Sequence, residues 1–292
     1  MPTASTATTR PFRQLDVFTD RAGYGNPLAV VLDGAGLDGT QMQRFAAWTN
    51  LSETTFVLPP TRPECDYRVR IFTPGGELPF AGHPTLGTCH AWLAAGGVTR
   101  RGDMVLQDCA AGPVSIRRGK DRLAFAAPPL ARSAPSPSVL AQVARALGLR
   151  PQEVRAAQCL DNGPVWLALV LDSASTVLAL APDHQALKNL NVKVGVAHVP
   201  PRLSAADGPA AEMVTVRAFA APVGIHEDPV TGSLNASLAQ WLIGDGLAPE
   251  RYVASQGECL GRAGRVFVER DSSGQVWVGG DVADCISGSV QL

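Results

Sequence analysis

The feature that most constrains this chain is an internal repeat. The segment "VRIF" at 69–72 returns as "VRAF" at 216–219, "AWL" at 91–93 as "QWL" at 240–242, and "AGPVSIRR" at 111–118 as "AGRVFVER" at 263–270. The three matches run in the same order, at offsets of 147, 149 and 152. One such match is within chance, but three in order at slowly growing offsets point to duplication. The chain therefore reads as two copies of one fold. Its 292 residues agree, because single hydrophobic cores rarely grow past roughly 250–300 residues.

Each copy has the same plan. An alternating strand ("YRVRIF", "MVTVRAF") leads into a Gly/Pro-rich turn and an apolar helix that ends at Gly96-Gly97 or Gly244. A hairpin follows, "PVSIRRGKDRLAF" in one copy and "RVFVERDSSGQVWV" in the other. Strands flanking one apolar helix predict an α+β architecture of two similar domains, each a mixed, curled, barrel-like sheet around a central helix. Gly87, Thr88 and Ala91 in the first helix, and Ala236, Ser237 and Ala239 in the second, are small enough for strands to close on it, a packing role. The Pro/Ala/Ser run at 127–138 reads as the linker, with a helix after it, which gives domains of 1–126 and 127–292 with the last strands free to cross back to the first.

Composition excludes several classes of function. With 46% hydrophobic and 17% charged residues and a net charge of −1, the chain has no basic footprint for nucleic acid or an anionic membrane. The first ten residues, "MPTASTATTR", lack the apolar core of a secretory signal and read as a disordered tail. The stretch from Val165 is broken by Asp172, short of the ~20 apolar residues a membrane span needs, and reads as a buried strand followed by a helix. Six scattered cysteines without a C-x-x-C pair suit neither a disulfide framework nor a zinc site, so reduced thiols in the cytoplasm are expected. No G-x-G-x-x-G or P-loop offers a seat for a nucleotide, and neither Lys120, Lys188 nor Lys193 has the phosphate cradle of a pyridoxal enzyme. No metal-ligand spacing occurs.

Two turns carry the candidate chemistry. "ELPFAGHPTLG" and "HEDPVTGSLNAS" occupy equivalent places, each opening a helix whose first N–H groups and positive dipole end suit a carboxylate. Titratable groups concentrate there: His83 in the first, on an exposed turn, and His226, Glu227 and Asp228 in the second. A third cluster, "TNLSETTFV", sets Glu53 just before an apolar strand, where a solvated strand entry is the plain alternative. Arg70 and Arg217, at matching points of the two strands, read as structural ion pairs or exposed faces.

These segments resemble a known family. "GNPLAVVLDG", "NLSETTFV", "RIFTPGGELPFAGHPTLG", "EDPVTGSLNAS", "GRAGRVFVE" and "VWVGGDV", in order from about Phe12 to the C-terminus, are similar to the PhzF-like phenazine-biosynthesis isomerases. The resemblance implies the diaminopimelate-epimerase-type fold with a site in the cleft between its two domains, and acid/base chemistry without a cofactor or metal. It implies Glu53 as the principal proton carrier, His83 and Asp228 flanking the substrate, Ser52 beside the base, and Gly82, Gly232 and Ser233 donating to a substrate carboxylate. A small carboxylate-bearing metabolite is the expected partner, with a homodimer in the cytoplasm. Racemases on this fold use two thiols at the helix-start turns; here those turns have none, and Cys89 lies two turns into the first helix. The alternative function is a non-catalytic binding protein that keeps the fold and its cleft.

Overall fold

The computed structural model describes residues 7–120, 122–201, 203 and 213–292. Its chain divides into two compact units, one reaching to Phe125 and including Gly280–Leu292, the other Ala126–Gly279.

In the first unit the elements are β1 (Thr9–Val17), β2 (Asn26–Val31), α1 (Gly39–Thr49), β3 (Glu53–Leu58), β4 (Tyr67–Thr73), β5 (Gly76–Leu78), α2 (Gly82–Ala94), β6 (Met104–Cys109), β7 (Gly112–Arg118) and β8 (Leu123–Ala126). The chain's last strand, Val282–Gln291, pairs antiparallel with β1 from Thr9↔Gln291 to Val17↔Val282. From that strand the sheet runs β1, β2, β3, β4, β6, β7, β8, antiparallel except for the β2–β3 and β4–β6 pairs, with β5 folded back on β4. Parallel neighbours need a crossover, and α1 and α2 supply the two.

The second unit repeats this order. It contains β9 (Ala131–Ser133), α3 (Pro137–Ala146), β10 (Val154–Asp161), β11 (Val165–Leu171), α4 (Ala174–Ala179), α5 (His184–Leu190), β12 (Val194–His198), β13 (Val214–Ala220), β14 (Ile225–Asp228), α6 (Gly232–Gly244), β15 (Arg251–Gln256), β16 (Gly264–Arg270) and β17 (Val276–Gly280). The sheet runs β9, β10, β11, β12, β13, β15, β16, β17, with parallel pairs at β11–β12 and β13–β15 and β14 folded on β13. The duplication read from three short motifs is thus a duplication of every pairing. Where α1 stands in the first copy, α4 and α5 stand in the second, and α3 joins them over an apolar layer of Val143, Leu147, Leu169, Val177, Leu187 and Val196.

Two local readings need correction. Of the expected tail, residues 1–6 lie outside the described residues, but Thr9 and Arg10 belong to β1. Arg10 is buried because its guanidinium donates to the carbonyls of Asp33 and Ala35 at 2.7 and 2.9 Å. The expected linker contains β9, an exposed edge strand pairing Ser133 with Cys159, and the start of α3. Prolines are tolerated around it because an edge strand presents its free side to water. Val165–Leu171 is β11, and among the described residues no helix is long and apolar enough to cross a membrane.

The central helices are buried almost all round, as core helices must be. In α2 every residue from Gly82 to Cys89 is buried, and the helix packs against β1, β2, β3 and β6. A Cβ at Gly87 would sit 2.5 Å from Leu28 Cδ2 and 2.9 Å from Val17 Cγ2. In the second unit the small residue is on the strand instead: a Cβ on Gly195 of β12 would lie 2.4 Å from Leu234 Cδ1 of α6. Gly87→Ala should lose stability in urea unfolding, because overpacking costs about 1–3 kcal/mol and outweighs the ~0.5–1 kcal/mol that alanine gains in a helix. A stabilised variant would show that this contact is slack.

Candidate active site

Glu53 opens β3. The chain reaches it from α1 through Asn50, a left-handed C-cap (φ 53°), and the half-buried Leu51 and Ser52. Because strand side chains alternate, Glu53 and Thr55 share the face toward α2. Thr55 Oγ1 lies 2.8 Å from Thr88 Oγ1 of α2 in a buried contact. Gln107 of β6 donates to Thr85 Oγ1 at 3.0 Å and accepts from the Tyr67 hydroxyl at 2.9 Å. These bonds fix the register of helix against strands, and the outcome is a separation of 3.1 Å between Glu53 Oε2 and His83 Nε2.

That pair is within ion-pair distance but is not aligned as a hydrogen bond; both atoms are buried, and neither has an aligned partner. Only 13% of the Glu53 side chain and 6% of the His83 side chain is exposed. His83 is therefore not an exposed turn residue. The helix begins at Gly82, two residues earlier than Pro84, which draws the imidazole into the unit. Pro84 falls in the first turn, where a missing N–H costs nothing. No side chain caps this helix end, so the N–H groups of Gly82 and His83 have no partner within the helix.

The matching helix start in the second unit is organised by Gln256. Its amide nitrogen donates to the Asp228 carbonyl (3.0 Å) and to Thr231 Oγ1 (2.9 Å), and its amide oxygen accepts from Thr231 N (3.0 Å) and Asn235 Nδ2 (2.9 Å). Thr231 in turn donates to Asp228 Oδ2 at 2.7 Å, so it holds the carboxylate instead of capping α6. Gly232 and Ser233 are the first residues of that helix. Ser233 Oγ accepts from Trp166 Nε1 at 3.1 Å, and its carbonyl accepts from Asn162 Nδ2 at 3.0 Å. A hydroxyl that accepts from an indole keeps its own proton to give.

Other residues near these turns have structural partners. Glu227 clamps Arg217 through two bonds of 2.8 and 3.0 Å, with 8% and 6% of the side chains exposed. The first copy has the same device, Glu77 on Arg70 at 2.7 Å twice, nearer the surface. His226 stacks on His184 at 4.4 Å. Burial, reinforced by His226, pushes the His184 imidazole below its usual pKa. The thiol of Cys89 is buried inside α2 and pushed up to about 12 by that burial, so it stays protonated near neutrality. Among the described residues no three His, Cys, Asp or Glu side chains gather closely enough to hold a metal ion.

Comparison with known proteins identifies the family of the chain. The family described as phenazine biosynthesis-like protein matches residues 15–288. The chain is 36% identical to antisense-enhancing sequence 1 of Schizosaccharomyces pombe, covering 96% of this chain and 98% of that protein. It is 33% identical to trans-2,3-dihydro-3-hydroxyanthranilate isomerase of Pseudomonas aeruginosa, over 89% of this chain and 90% of the other. A crystal structure of a PhzF-family phenazine biosynthesis protein from Bacillus anthracis superposes with a TM-score of 0.80 over 98% of this chain and 100% of its own, at 23% identity, a likeness of fold. The chain belongs to the phenazine biosynthesis-like protein family and is an isomerase of that family.

Proposed function

We propose that the protein moves a proton between atoms of a small carboxylate-bearing metabolite, with Glu53 as the carrier. The observation that supports this most strongly is the buried pair of Glu53 Oε2 and His83 Nε2, 3.1 Å apart and both without an aligned partner. The misalignment leaves a lone pair on Glu53 and an N–H position on His83 for a third group. In this reading Glu53 takes a proton from one position of the substrate and returns it at another, so no net charge is left behind. His83 sets the carboxyl's orientation and meets the substrate beside it, next to Ser52. Asp228, held by Thr231, flanks the substrate, and Gly82, Gly232 and Ser233 donate to its carboxylate. The reading extends to a homodimer in the cytoplasm, which sedimentation of the purified protein and cell fractionation test.

Trans-2,3-dihydro-3-hydroxyanthranilate, in the name of the Pseudomonas aeruginosa relative, is the first compound to try. Protein dialysed against a chelator is expected to isomerise it as fast as undialysed protein, followed by NMR in heavy water. Activity that returns only on adding metal would contradict proton transfer by side chains alone.

A further inference from the structure

The two copies place opposite charges at one equivalent position. In the first unit Thr54 of β3 faces Phe72 of β4; in the second Val194 of β12 faces Phe219 of β13. Phe72 and Phe219 close the matched segments "VRIF" and "VRAF". Counting back one residue from Thr54 and from Val194, the counterpart of Glu53 is Lys193. Val194 and Val196 belong to the outer apolar layer, so by alternation Lys193 and Gly195 face α6, as Glu53 and Thr55 face α2.

Lys193 has the surroundings of a binding group. Its ammonium lies 5.9 Å from the ring centre of Trp166, the residue whose indole donates to Ser233 Oγ at the start of α6. The Lys193 carbonyl accepts from Leu167 N at 2.9 Å, but among the described residues its ammonium makes no hydrogen bond or ion pair, although the residue is only half-exposed. Burial lowers its pKa below the ordinary lysine range, with Asp228 pushing it back up. A half-buried ammonium without acceptors contributes little to a fold; a methionine would pack as well without the desolvation cost. An incoming carboxylate would supply the missing acceptors.

We propose that Lys193 receives the substrate's carboxylate and selects for acids over neutral analogues, at the place where the first copy carries Glu53. This rests on the isomerase reading of the site, but it can fail separately.

Reductive methylation with 13C-formaldehyde labels the chain's lysines, Lys120, Lys188 and Lys193, and keeps their charge, so three side-chain signals can be followed by NMR. Benzoate and benzamide serve as probes that differ in charge. Benzoate should shift the Lys193 signal saturably and raise its apparent pKa, benzamide should not, and the other two signals should stay still. In unlabelled protein, Lys193→Met should weaken benzoate binding at least about tenfold, the scale of a lost charge-assisted hydrogen bond, and Lys193→Arg should restore most of it. Glu53→Gln should leave the benzoate response in place, which separates the two claims. A Lys193 signal indifferent to benzoate, equal response to the amide, or a Lys193→Met protein that binds benzoate as tightly as the parent would overturn the assignment.

Discussion

Glu53→Gln should fold as the parent does and turn over at least about a hundredfold more slowly, the usual scale for removing a general acid/base and equivalent to about 2.7 kcal/mol of barrier. The amide keeps the volume of the carboxyl at the start of β3 and can still lie against His83, so melting temperature and ligand affinity should change little. What it loses is the ability to take a proton and give it back. Steady-state rates together with thermal unfolding, with and without substrate, separate these effects. A variant that unfolds more easily but turns over normally would make Glu53 a structural residue at a strand entry.

The second large effect is on stability. Glu227→Ala should cost about 3–5 kcal/mol, because it strands a nearly buried Arg217. One arm of that guanidinium would still donate to the carbonyls of Val177 and Leu180, at 3.1 and 2.8 Å, but the other two bonds would have no acceptor. The equivalent change in the first copy, Glu77→Ala, breaks a pair with the same two-bond geometry in a more exposed place, and should cost only about 0–1 kcal/mol. Urea unfolding of the two variants compares one motif in two environments. Equal losses would mean that burial does not set the value of the clamp.

Much of this fold was legible because duplication leaves its mark where packing is strict. "VRIF"/"VRAF" and "AGPVSIRR"/"AGRVFVER" lie on strands whose partners occupy equivalent sheet positions, and their offsets of 147 and 152 hold in three dimensions. "AWL" and "QWL" are one residue out of structural register. Helices α2 and α6 start at Gly82 and Gly232, and their closing bonds, Ala95 N to Ala91 O and Asp245 N to Trp241 O, are 150 apart. Small and aromatic residues recur on a core helix for general reasons, so a short match there is weak.

The candidate site was legible only where a residue type stood out in a turn. His83 was visible as a histidine between glycine and proline, but its burial was not, since that depends on where α2 begins. Glu227 counted with His226 and Asp228 among the titratable groups of the second turn; only the pairing of β13 with β14 showed that Arg217 holds it. Gln256, which organises the Asp228 turn, stands 28 residues away on β15 and belongs to no motif. Lys193 was set aside for lacking a phosphate cradle, and its equivalence to Glu53 emerges from strand register alone.

The central claim is that Glu53 and His83 work as one proton-transfer unit, and a double-mutant cycle on turnover tests it most directly. Glu53→Gln, His83→Gln and the double variant are measured with the same substrate, each checked for folding by circular dichroism. Residues that act as a unit are strongly non-additive, so the double variant should be about as slow as the worse of the two single variants. If the two losses instead multiply, Glu53 and His83 act independently, and the 3.1 Å contact between them is incidental to the chemistry.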